Sequence, residues 1–403
     1  MEKLKICFIS KYPPIEGGES SKAYWLIRGL AKRGHEIHVV TNSIEVENEY
    51  RENITGEDLD NYKPKNVFVY NTDPFSNPRF IPFTNPYSEK LTSIALEVIR
   101  NNDIDLIDSW YLLPYGVAGL IIKLLRNKPL IMRHAGSDMN RLFGSSNLSY
   151  LLLEIFRNSN KIVTHPSTKD VFLKLGVSKE KIFLNNPSVD VSFFNDKVKP
   201  IDLQSLNKNL TSKKLTIITF IGKTSRSKGV FDLINALKGI KKEFLLLLVV
   251  GGTGLDELRN SIRKNNLSKK TRFMNFVPPW RIPSIIKAST CVVCPERKFP
   301  IATHYPILPR EVMSVGTCLI LSRELYEKYP RGLLHDGRNV IVIHNPQNKE
   351  EFAKIIEEVL STPKYPEKIG KEGNKLSRKI EDFDRYVKET EKMYRQVLLS
   401  KNR

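Results

Sequence analysis

The residues best suited to chemistry lie in the segment TIITFIGKTSRSKG, residues 216–229. An apolar run typical of a β-strand ends at Gly222, a short basic loop follows, and the helical pattern VFDLINALKGI comes next. Backbone N–H groups, the positive end of that helix and the side chains of Lys223, Arg226 and Lys228 would surround one small volume. That volume suits a diphosphate, so the segment predicts a phosphorylated ligand. The alternative is a glycine-rich turn with solvated lysines.

Two better-known phosphate loops can be compared with this chain by their spacing. A P-loop needs a glycine five residues before the Gly-Lys-Thr triplet that starts at Gly222, and Ile217 stands there. A second glycine pair, Gly252 and Gly254, follows the strand pattern EFLLLLVV, but Glu257 occupies the place of the third glycine of a dinucleotide fingerprint. Neither a Walker motif nor an NAD site is expected.

Length and composition indicate an ordinary globular protein of more than one domain. The chain has 403 residues, 40% of them hydrophobic and 27% charged, which is enough for about two or three domains. The start, MEKLKICFIS, lacks the apolar core of a signal peptide. The longest apolar runs, such as FLLLLVV, fall short of the ~20 residues that a spanning helix needs. We expect a cytoplasmic protein whose membrane contact, if any, is peripheral.

The cysteines favour a structural role. Cys7, Cys291, Cys294 and Cys318 all lie in apolar runs typical of strands, which predicts buried free thiols in a reducing compartment. Cys291 and Cys294 form a CxxC pair, but no second CxxC and no nearby pair of histidines accompanies it. We therefore predict no metal site and no cofactor.

The net charge of +20 is unevenly distributed. Lys and Arg exceed Asp and Glu by 3 in residues 1–200 and by 17 in residues 201–403, so the phosphate loop lies in the basic half. Nucleic acid is the obvious alternative partner for such a charge. No helix-turn-helix, RNP or zinc-finger spacing is present, so no nucleic acid partner is expected, and a solvated lysine-rich surface explains much of the excess.

Strand and helix patterns alternate in two blocks, which predicts an α/β protein with two parallel-sheet domains. We place the first domain at residues 1–190, a polar, Pro-containing linker at 191–214, the second domain at 215–376 and a final amphipathic helix at 377–403. The strand candidates are LKICFIS, HEIHVVT, NVFVYN, IDLIDSW, PLIMRHA and KIVTHP in the first block, and TIITFIG, FLLLLVVGG, RFMNFV, TCVVCP, GTCLILS and NVIVIH in the second.

Several segments together resemble the GT-B glycosyltransferases of the retaining, glycogen-synthase-like group known as family 4. LAKRGHEIHVVT is close to the family's run after the first helix, and RHAGSD is similar to its His-Gly-x-Asp segment. FIGKTSRSKGVFDLINAL resembles its donor-phosphate loop, VVGGTGLDELRN the glycine-rich segment after it, and REVMSVGTCLILS the segment with a functional glutamate. The resemblance extends over nearly the whole chain.

The resemblance implies a fold and a reaction. The fold would be two Rossmann-like domains facing a cleft, with the acceptor on the amino-terminal side, the nucleotide sugar on the carboxyl-terminal side and the last helix packed back on the first domain. The reaction would move a sugar from a UDP- or GDP-linked donor to a hydroxyl of a glycan or lipid-linked acceptor, with retention. Neither a metal nor an enzymic nucleophile is implied.

The resemblance also assigns the donor side of the site. Glu311 would bind the ribose hydroxyls, since a carboxylate can accept from both, and Lys228 would bind the diphosphate. Lys223 stands where the family usually has Arg, so it would act as a point charge, and bidentate donation would pass to Arg226. Gly222 belongs to the same loop.

The resemblance assigns four residues to the other wall. Gly17 and Gly18 would let the backbone approach the donor phosphate. His134 and Asp138 would face the transferred sugar or the acceptor, where an imidazole can bind a hydroxyl or take up a proton near neutral pH. His134, Asp138 and Glu311 are the predicted catalytic residues.

One position departs from the family. Eight residues before Glu311 the family usually has a second glutamate, but this chain has Thr303, followed by His304. Glu296 lies further upstream and would have to fold back to reach the sugar. We expect Thr303 and His304 to take the place of the missing carboxylate, with Glu296 as the alternative.

Two other functions remain open. A nucleotide-sugar epimerase of the same architecture would convert the sugar nucleotide without an acceptor. A noncatalytic GT-B subunit that binds a ligand or a partner is favoured only by the missing glutamate.

Overall fold

The computed structural model describes residues 2–74, 85–202, 216–301 and 305–401. The described chain divides into two compact units. The first contains residues 2–188, Ile301 and the carboxyl-terminal residues from Phe383 onward, and the second contains residues 189–300 and 305–382. The boundaries between the long segments of the two units lie at 188–189 and 382–383.

The described residues of the first unit form a seven-stranded parallel sheet in the order β3-β2-β1-β4-β5-β6-β7. The strands are β1 (Lys5–Ser10), β2 (Glu36–Thr41), β3 (Val67–Asn71), β4 (Leu106–Trp110), β5 (Leu130–Arg133), β6 (Lys161–Thr164) and β7 (Ile182–Leu184). The first six were predicted from the sequence. The three-residue β7 was missed because its half-exposed edge position leaves no long apolar run.

The helices of the first unit connect these strands. They are α1 (Gly18–Lys32), α2 (Leu59–Tyr62), α3 (Tyr87–Asn102), α4 (Val117–Arg126), α5 (Gly136–Leu142), α6 (Ser146–Asn158) and α7 (Lys169–Lys174). The sequence explains where α1 stops. Gly34 has φ 93° and follows the last turn, and the N–H groups of Gly34 and His35 donate to the carbonyls of Ala31 and Leu30, which is a Schellman ending.

The described residues of the second unit form a six-stranded parallel sheet in the order β10-β9-β8-β11-β12-β13. The strands are β8 (Ile217–Lys223), β9 (Leu245–Gly251), β10 (Thr271–Met274), β11 (Cys291–Cys294), β12 (Cys318–Ser322) and β13 (Ile341–Ile343). Every residue of β9 is buried, as expected for a central strand covered on both faces.

The helices of the second unit cover both faces of its sheet. They are α8 (Val230–Leu237), α9 (Leu255–Lys264), α10 (Ile282–Ala288), α11 (Leu308–Val315), α12 (Arg323–Tyr326), α13 (Lys349–Ser361) and α14 (Lys364–Ile380). The core combines strand residues such as Phe220 and Leu248 with helix residues such as Leu233 and Phe352. All four cysteines are buried and free, which confirms that prediction.

The last helix, α15 (Phe383–Lys401), is shorter than predicted. Residues 377–380 belong to α14, and the chain is extended at Glu381, with φ −94° and ψ 122°. The Glu381 carboxylate accepts from the Val189 N–H at 2.8 Å and from the Arg310 guanidinium at 2.6 and 2.5 Å. These bonds hold Glu381 outside the helix, so α15 starts two residues later. Within the first unit, α15 packs on α1 at Gly29, where a β-carbon would lie 2.7 Å from Val387.

Both sheets have a topological switch point. The strand order reverses between β1 and β4 in the first unit and between β8 and β11 in the second. In open parallel sheets, ligands bind beyond the carboxyl ends of the strands at this point. The loop after β8 and the segment after β11 therefore meet where a ligand is expected in the second unit. Part of the predicted linker, residues 203–214, lies outside the described residues.

Candidate functional sites

The loop after β8 has the local structure that its sequence predicts. Ser225 accepts the Lys228 N–H at 3.3 Å and caps a 3-10 turn at Arg226–Lys228. Gly229 follows with φ 75°, and a β-carbon there would lie 2.0 Å from the Pro295 carbonyl oxygen. Only glycine satisfies both constraints. Gly229 thus lets the start of α8 press against the chain that leaves β11.

The second glycine segment supports this loop. The Thr224 hydroxyl donates to the Gly251 carbonyl at 3.0 Å, and a β-carbon at Gly254 would lie 2.3 Å from the Thr224 carbonyl oxygen. The turn after β9 is therefore a close-packed platform for the loop after β8.

Lys228 and Glu296 form an ion pair just after β11, and the charge of Glu311 acts on the end of the same strand. The Lys228 ammonium lies 2.5 Å from a Glu296 oxygen and 4.6 Å from the centre of the Phe299 ring. Burial raises the pKa of the Cys294 thiol, the charges of Glu296 and Glu311 raise it further, and Lys228 lowers it. The charges of all three residues therefore act on Cys294, the last residue of β11.

Glu311 lies in the first turn of α11, and its side chain is buried. Burial raises its pKa to about 8, Arg310 acts to lower it and Glu381 acts to raise it. Among the described residues, none donates a hydrogen bond to its carboxyl group. Burial thus favours the protonated form of Glu311 in the free protein, whereas its predicted role was that of a carboxylate.

Arg226 does not join the Lys228 group. Its side chain is exposed, forms an ion pair with Glu257 of α9 and lies 5.3 Å from the Phe231 ring. Bidentate donation by Arg226 to the donor, as predicted, would require it to leave Glu257. Lys223 is exposed at the end of β8, and Gly222 precedes it within that strand. Thr303 and His304 lie outside the described residues.

His134 follows β5 in the first unit. Its Nε2 lies 2.7 Å from the Thr164 hydroxyl and its Nδ1 lies 3.3 Å from the Ala135 carbonyl. Both ring nitrogens of His134 therefore lie within hydrogen-bonding distance of a protein oxygen. Burial lowers the pKa of His134 to about 4. Burial thus favours the neutral imidazole in the free protein, which suits hydrogen bonding to a hydroxyl better than proton uptake near neutral pH.

Asp138 is fully buried. The resemblance implied instead that it faces the transferred sugar or the acceptor. Its oxygens accept from the Leu112 N–H at 3.1 Å and the Met139 N–H at 2.8 Å. Burial raises its pKa to about 7, and these backbone bonds act to lower it. Asp138 thus ties the start of α5 to the turn after β4.

Gly17 and Gly18 lie between β1 and α1. Gly17 has φ 128°, a conformation that favours glycine, and Gly18 is exposed. A β-carbon at either position would have no described heavy atom within 4 Å. The described structure therefore leaves open space beside the backbone at the start of α1.

Glu19, the residue after Gly18, carries a carboxylate that was not predicted from the sequence as part of the site. Trp110, at the end of β4, donates from its indole Nε1 to Glu19 at 2.8 Å. An acid in the first turn of a helix is common for reasons of helix electrostatics alone, so the sequence held no specific signal for Glu19.

Two kinds of feature are absent from the described residues. No described helix has the length and apolar character needed to cross a membrane. Within the same ranges, no group of three or more His, Cys, Asp or Glu side chains is arranged to hold a metal ion.

Comparisons with known proteins give the same assignment for both halves of the chain. Residues 17–193 match the model of Glycosyltransferase Family 4, and residues 203–376 match that of Glycosyl transferases group 1. An uncharacterized glycosyltransferase of Methanocaldococcus jannaschii, MJ1607, is 24% identical over 97% of this chain and 98% of its own.

Solved structures share the fold. HepE of Anabaena, in complex with UDP and glucose, matches with a TM-score of 0.70 and 16% identity over 97% of this chain and 99% of its own. Sucrose-phosphate synthase from Thermosynechococcus elongatus matches with a TM-score of 0.67 and 16% identity over 99% and 100%. With two parallel-sheet Rossmann-like units and a family match on each, the chain belongs to the glycosyltransferases of the GT-B fold.

Proposed function

We propose that this glycosyltransferase moves a hexosyl group from a UDP- or GDP-linked sugar to an acceptor hydroxyl, with retention of configuration. The second unit would bind the donor and the first the acceptor. The observation that carries the proposal is the Lys228–Glu296 pair at the switch point of the second sheet, in the unit whose helix α11 carries the buried Glu311 in its first turn. A solved relative in fold that contains UDP and glucose supports a uridine donor.

Lys228 would bind the diphosphate by exchanging partners. In the free protein its ammonium is held by Glu296. A diphosphate beside the N–H groups at the start of α8 carries more negative charge than one carboxylate and would draw Lys228 to itself. Charge that develops on the leaving diphosphate would then be stabilised by groups already in place.

Glu296 would bind the sugar. Once Lys228 turns to the phosphate, the Glu296 carboxylate can accept from sugar hydroxyls. The 2.5 Å contact with Lys228 supports Glu296 over the later residues that the sequence analysis preferred. Thr303 and His304 stay candidates for further sugar contacts.

Glu311 would bind the ribose as a neutral acid. Its carbonyl oxygen accepts from one hydroxyl and its O–H donates to another. A protonated Glu311 also adds no negative charge to the site of the negatively charged diphosphate. An ionised carboxylate there would repel the diphosphate and weaken donor binding. Gly222 and Lys223 would line the same loop.

On the first unit, the neutral His134 would bind a hydroxyl near the transferred sugar, and Gly17 and Gly18 would let a phosphate oxygen approach the backbone. Asp138 would position the start of α5 through its hydrogen bond with the Leu112 N–H. We propose a glycan or lipid-linked acceptor, a cytoplasmic location and no metal requirement. The basic excess of residues 201–403 would support peripheral contact with an anionic membrane.

The direct test is incubation with UDP-, GDP- and ADP-linked sugars, with and without candidate acceptors, followed by mass spectrometry. Release of a nucleoside diphosphate with a glycosylated product is expected, and the NMR coupling of its anomeric proton reports retention. Conversion of the sugar nucleotide alone would indicate the epimerase. Binding of UDP or GDP without turnover of any donor would indicate a noncatalytic subunit.

A further inference from the structure

The Glu19 carboxylate lies beside the switch point of the first sheet and has no role in the site described above. Its Oε2 accepts from the Trp110 indole at 2.8 Å and its Oε1 accepts from the Lys22 ammonium at 2.9 Å. About a fifth of the side chain, 20%, remains exposed. Partners from β4 and α1 thus hold the carboxylate in one orientation while it still reaches the surface.

Glu19 shares this place with residues after β4 and β5. Burial is the largest influence on the pKa of His134, Asp138 and Tyr111, and the negative charge of Glu19 raises each of them. Trp110, which donates to Glu19, is paired in register with Arg133 on β5, and His134 follows Arg133 directly. Glu19 and His134 therefore belong to one cluster at the carboxyl ends of the strands.

A buried layer holds Trp110 in position. The Arg133 guanidinium lies 5.1 Å from the Trp110 ring and donates from Nε to both oxygens of Asp108. Tyr394 of α15 donates to the same Asp108 at 2.5 Å. Trp110, whose indole orients Glu19, is thus held by the buried, hydrogen-bonded group of Arg133 and Asp108 with Tyr394. An ion pair that lies only on a solvated helix surface would need no such group.

The two partners of Glu19 also favour its ionised form. Burial acts against ionisation, but the charge and hydrogen bond of Lys22 and the hydrogen bond of Trp110 lower the pKa of Glu19 below its usual value. An ionised carboxylate with two donors already bound keeps lone pairs for a further donor. Hydroxyl groups are suitable donors, and their bonds to a carboxylate are short and strong.

We propose that Glu19, oriented by Trp110 and Lys22, accepts a hydrogen bond from a hydroxyl group of a polyhydroxylated acceptor that lies against His134. The inference rests on the proposed function, because it requires that this unit receive the acceptor. Glu19 would thus select the acceptor by the acceptor's hydroxyl groups. Donor binding would remain with the second unit.

The indole N–H of Trp110 offers a direct reporter. The chain has three tryptophans, so Trp110→Phe assigns the resonance in a proton–nitrogen NMR spectrum. The UDP-loaded protein is titrated with glucose, mannose and glycerol. We expect at least one probe to shift the Trp110 resonance, and to bind about 10- to 100-fold more weakly to Glu19→Gln. Calorimetry should give the same UDP affinity for both proteins.

Glu154→Gln is the matched control. Glu154 forms an ion pair with Arg157, three residues later on α6, just as Glu19 does with Lys22 on α1. It should bind the probes as the wild type does. If no probe shifts Trp110 while UDP binds, or if Glu19→Gln binds the probes normally, the inference is wrong. A parallel loss of UDP affinity in Glu19→Gln would also contradict it. Failure of the wild type to bind any nucleoside diphosphate would instead contradict the proposed function.

Discussion

The predicted site residues of the two units are stabilised in different ways. In the second unit Lys228 and Glu296 neutralise each other at 2.5 Å. In the first unit His134 and Asp138 bond a hydroxyl and backbone groups, and burial disfavours the charged form of both. An ion pair can exchange one partner for a charged ligand, whereas bonds to the backbone hold loops in place. The comparison predicts that the second unit controls donor affinity and that Asp138 controls stability.

The largest effect should follow Lys228→Met. Loss of a charge-assisted contact worth roughly 1.5–3 kcal/mol should weaken UDP binding about 10- to 100-fold. Calorimetric titration with UDP measures it, and Lys238→Met, an exposed lysine just after α8, is the control.

The variant also leaves Glu296 without its lysine, so stability needs a separate measurement. Lys228→Met combined with Glu296→Gln should recover much of the thermal stability that Lys228→Met loses, without recovering UDP affinity. If the double variant regains UDP binding, Lys228 acts through the fold and not on the ligand.

Asp138→Ala should destabilise the first unit. The Leu112 and Met139 N–H groups would lose a buried acceptor, at a cost of about 1–3 kcal/mol, while Asp138→Asn should retain part of the bonding. Urea unfolding compares the two variants. UDP affinity should stay at the wild-type value, and a drop in UDP affinity with unchanged stability would reverse the assigned roles.

Glu311 should make stability depend on pH. Its folded pKa of about 8 lies above the unfolded value of about 4.3, so the folded state retains a proton that the unfolded state loses. Stability from this group is complete below about pH 4.3 and falls as the pH rises to about 8. Glu311→Gln should therefore gain stability relative to the wild type between about pH 5 and pH 8 in urea titrations.

Donor binding by the same variant offers an independent check. Because Glu311 is neutral, Glu311→Gln should weaken UDP binding by only about 2- to 10-fold, the effect of one neutral hydrogen bond. A loss of about 100-fold or more would show that the bound form is ionised.

The smallest effect concerns His134. With a pKa of about 4, it should add no titration to the kcat/KM profile between about pH 5.5 and pH 8. His134→Gln should change the height of the profile more than its shape. A step near pH 6.5 that disappears in His134→Gln would mean that a ligand restores an ordinary pKa.

The sequence predicted the elements well because the central strands are buried on both faces and appear in the sequence as apolar runs, as in FLLLLVV. It also predicted the loop at Gly222 to Gly229, where φ and close packing leave few residue choices. It did not predict that Glu296 meets Lys228, since that contact depends on Gly229 pressing against Pro295 from a distant strand. Protonation states were missed for the same reason: the burial of Glu311 and His134 is a property of the packed fold.

The central claim is that Lys228 leaves Glu296 to bind the donor diphosphate. A crystal structure of the protein with UDP-glucose tests it directly. The account predicts a phosphate oxygen within hydrogen-bonding distance of the Lys228 ammonium, with the Glu296 carboxylate turned to the sugar hydroxyls. A bound UDP-glucose with the Lys228–Glu296 pair intact and the diphosphate elsewhere would contradict it.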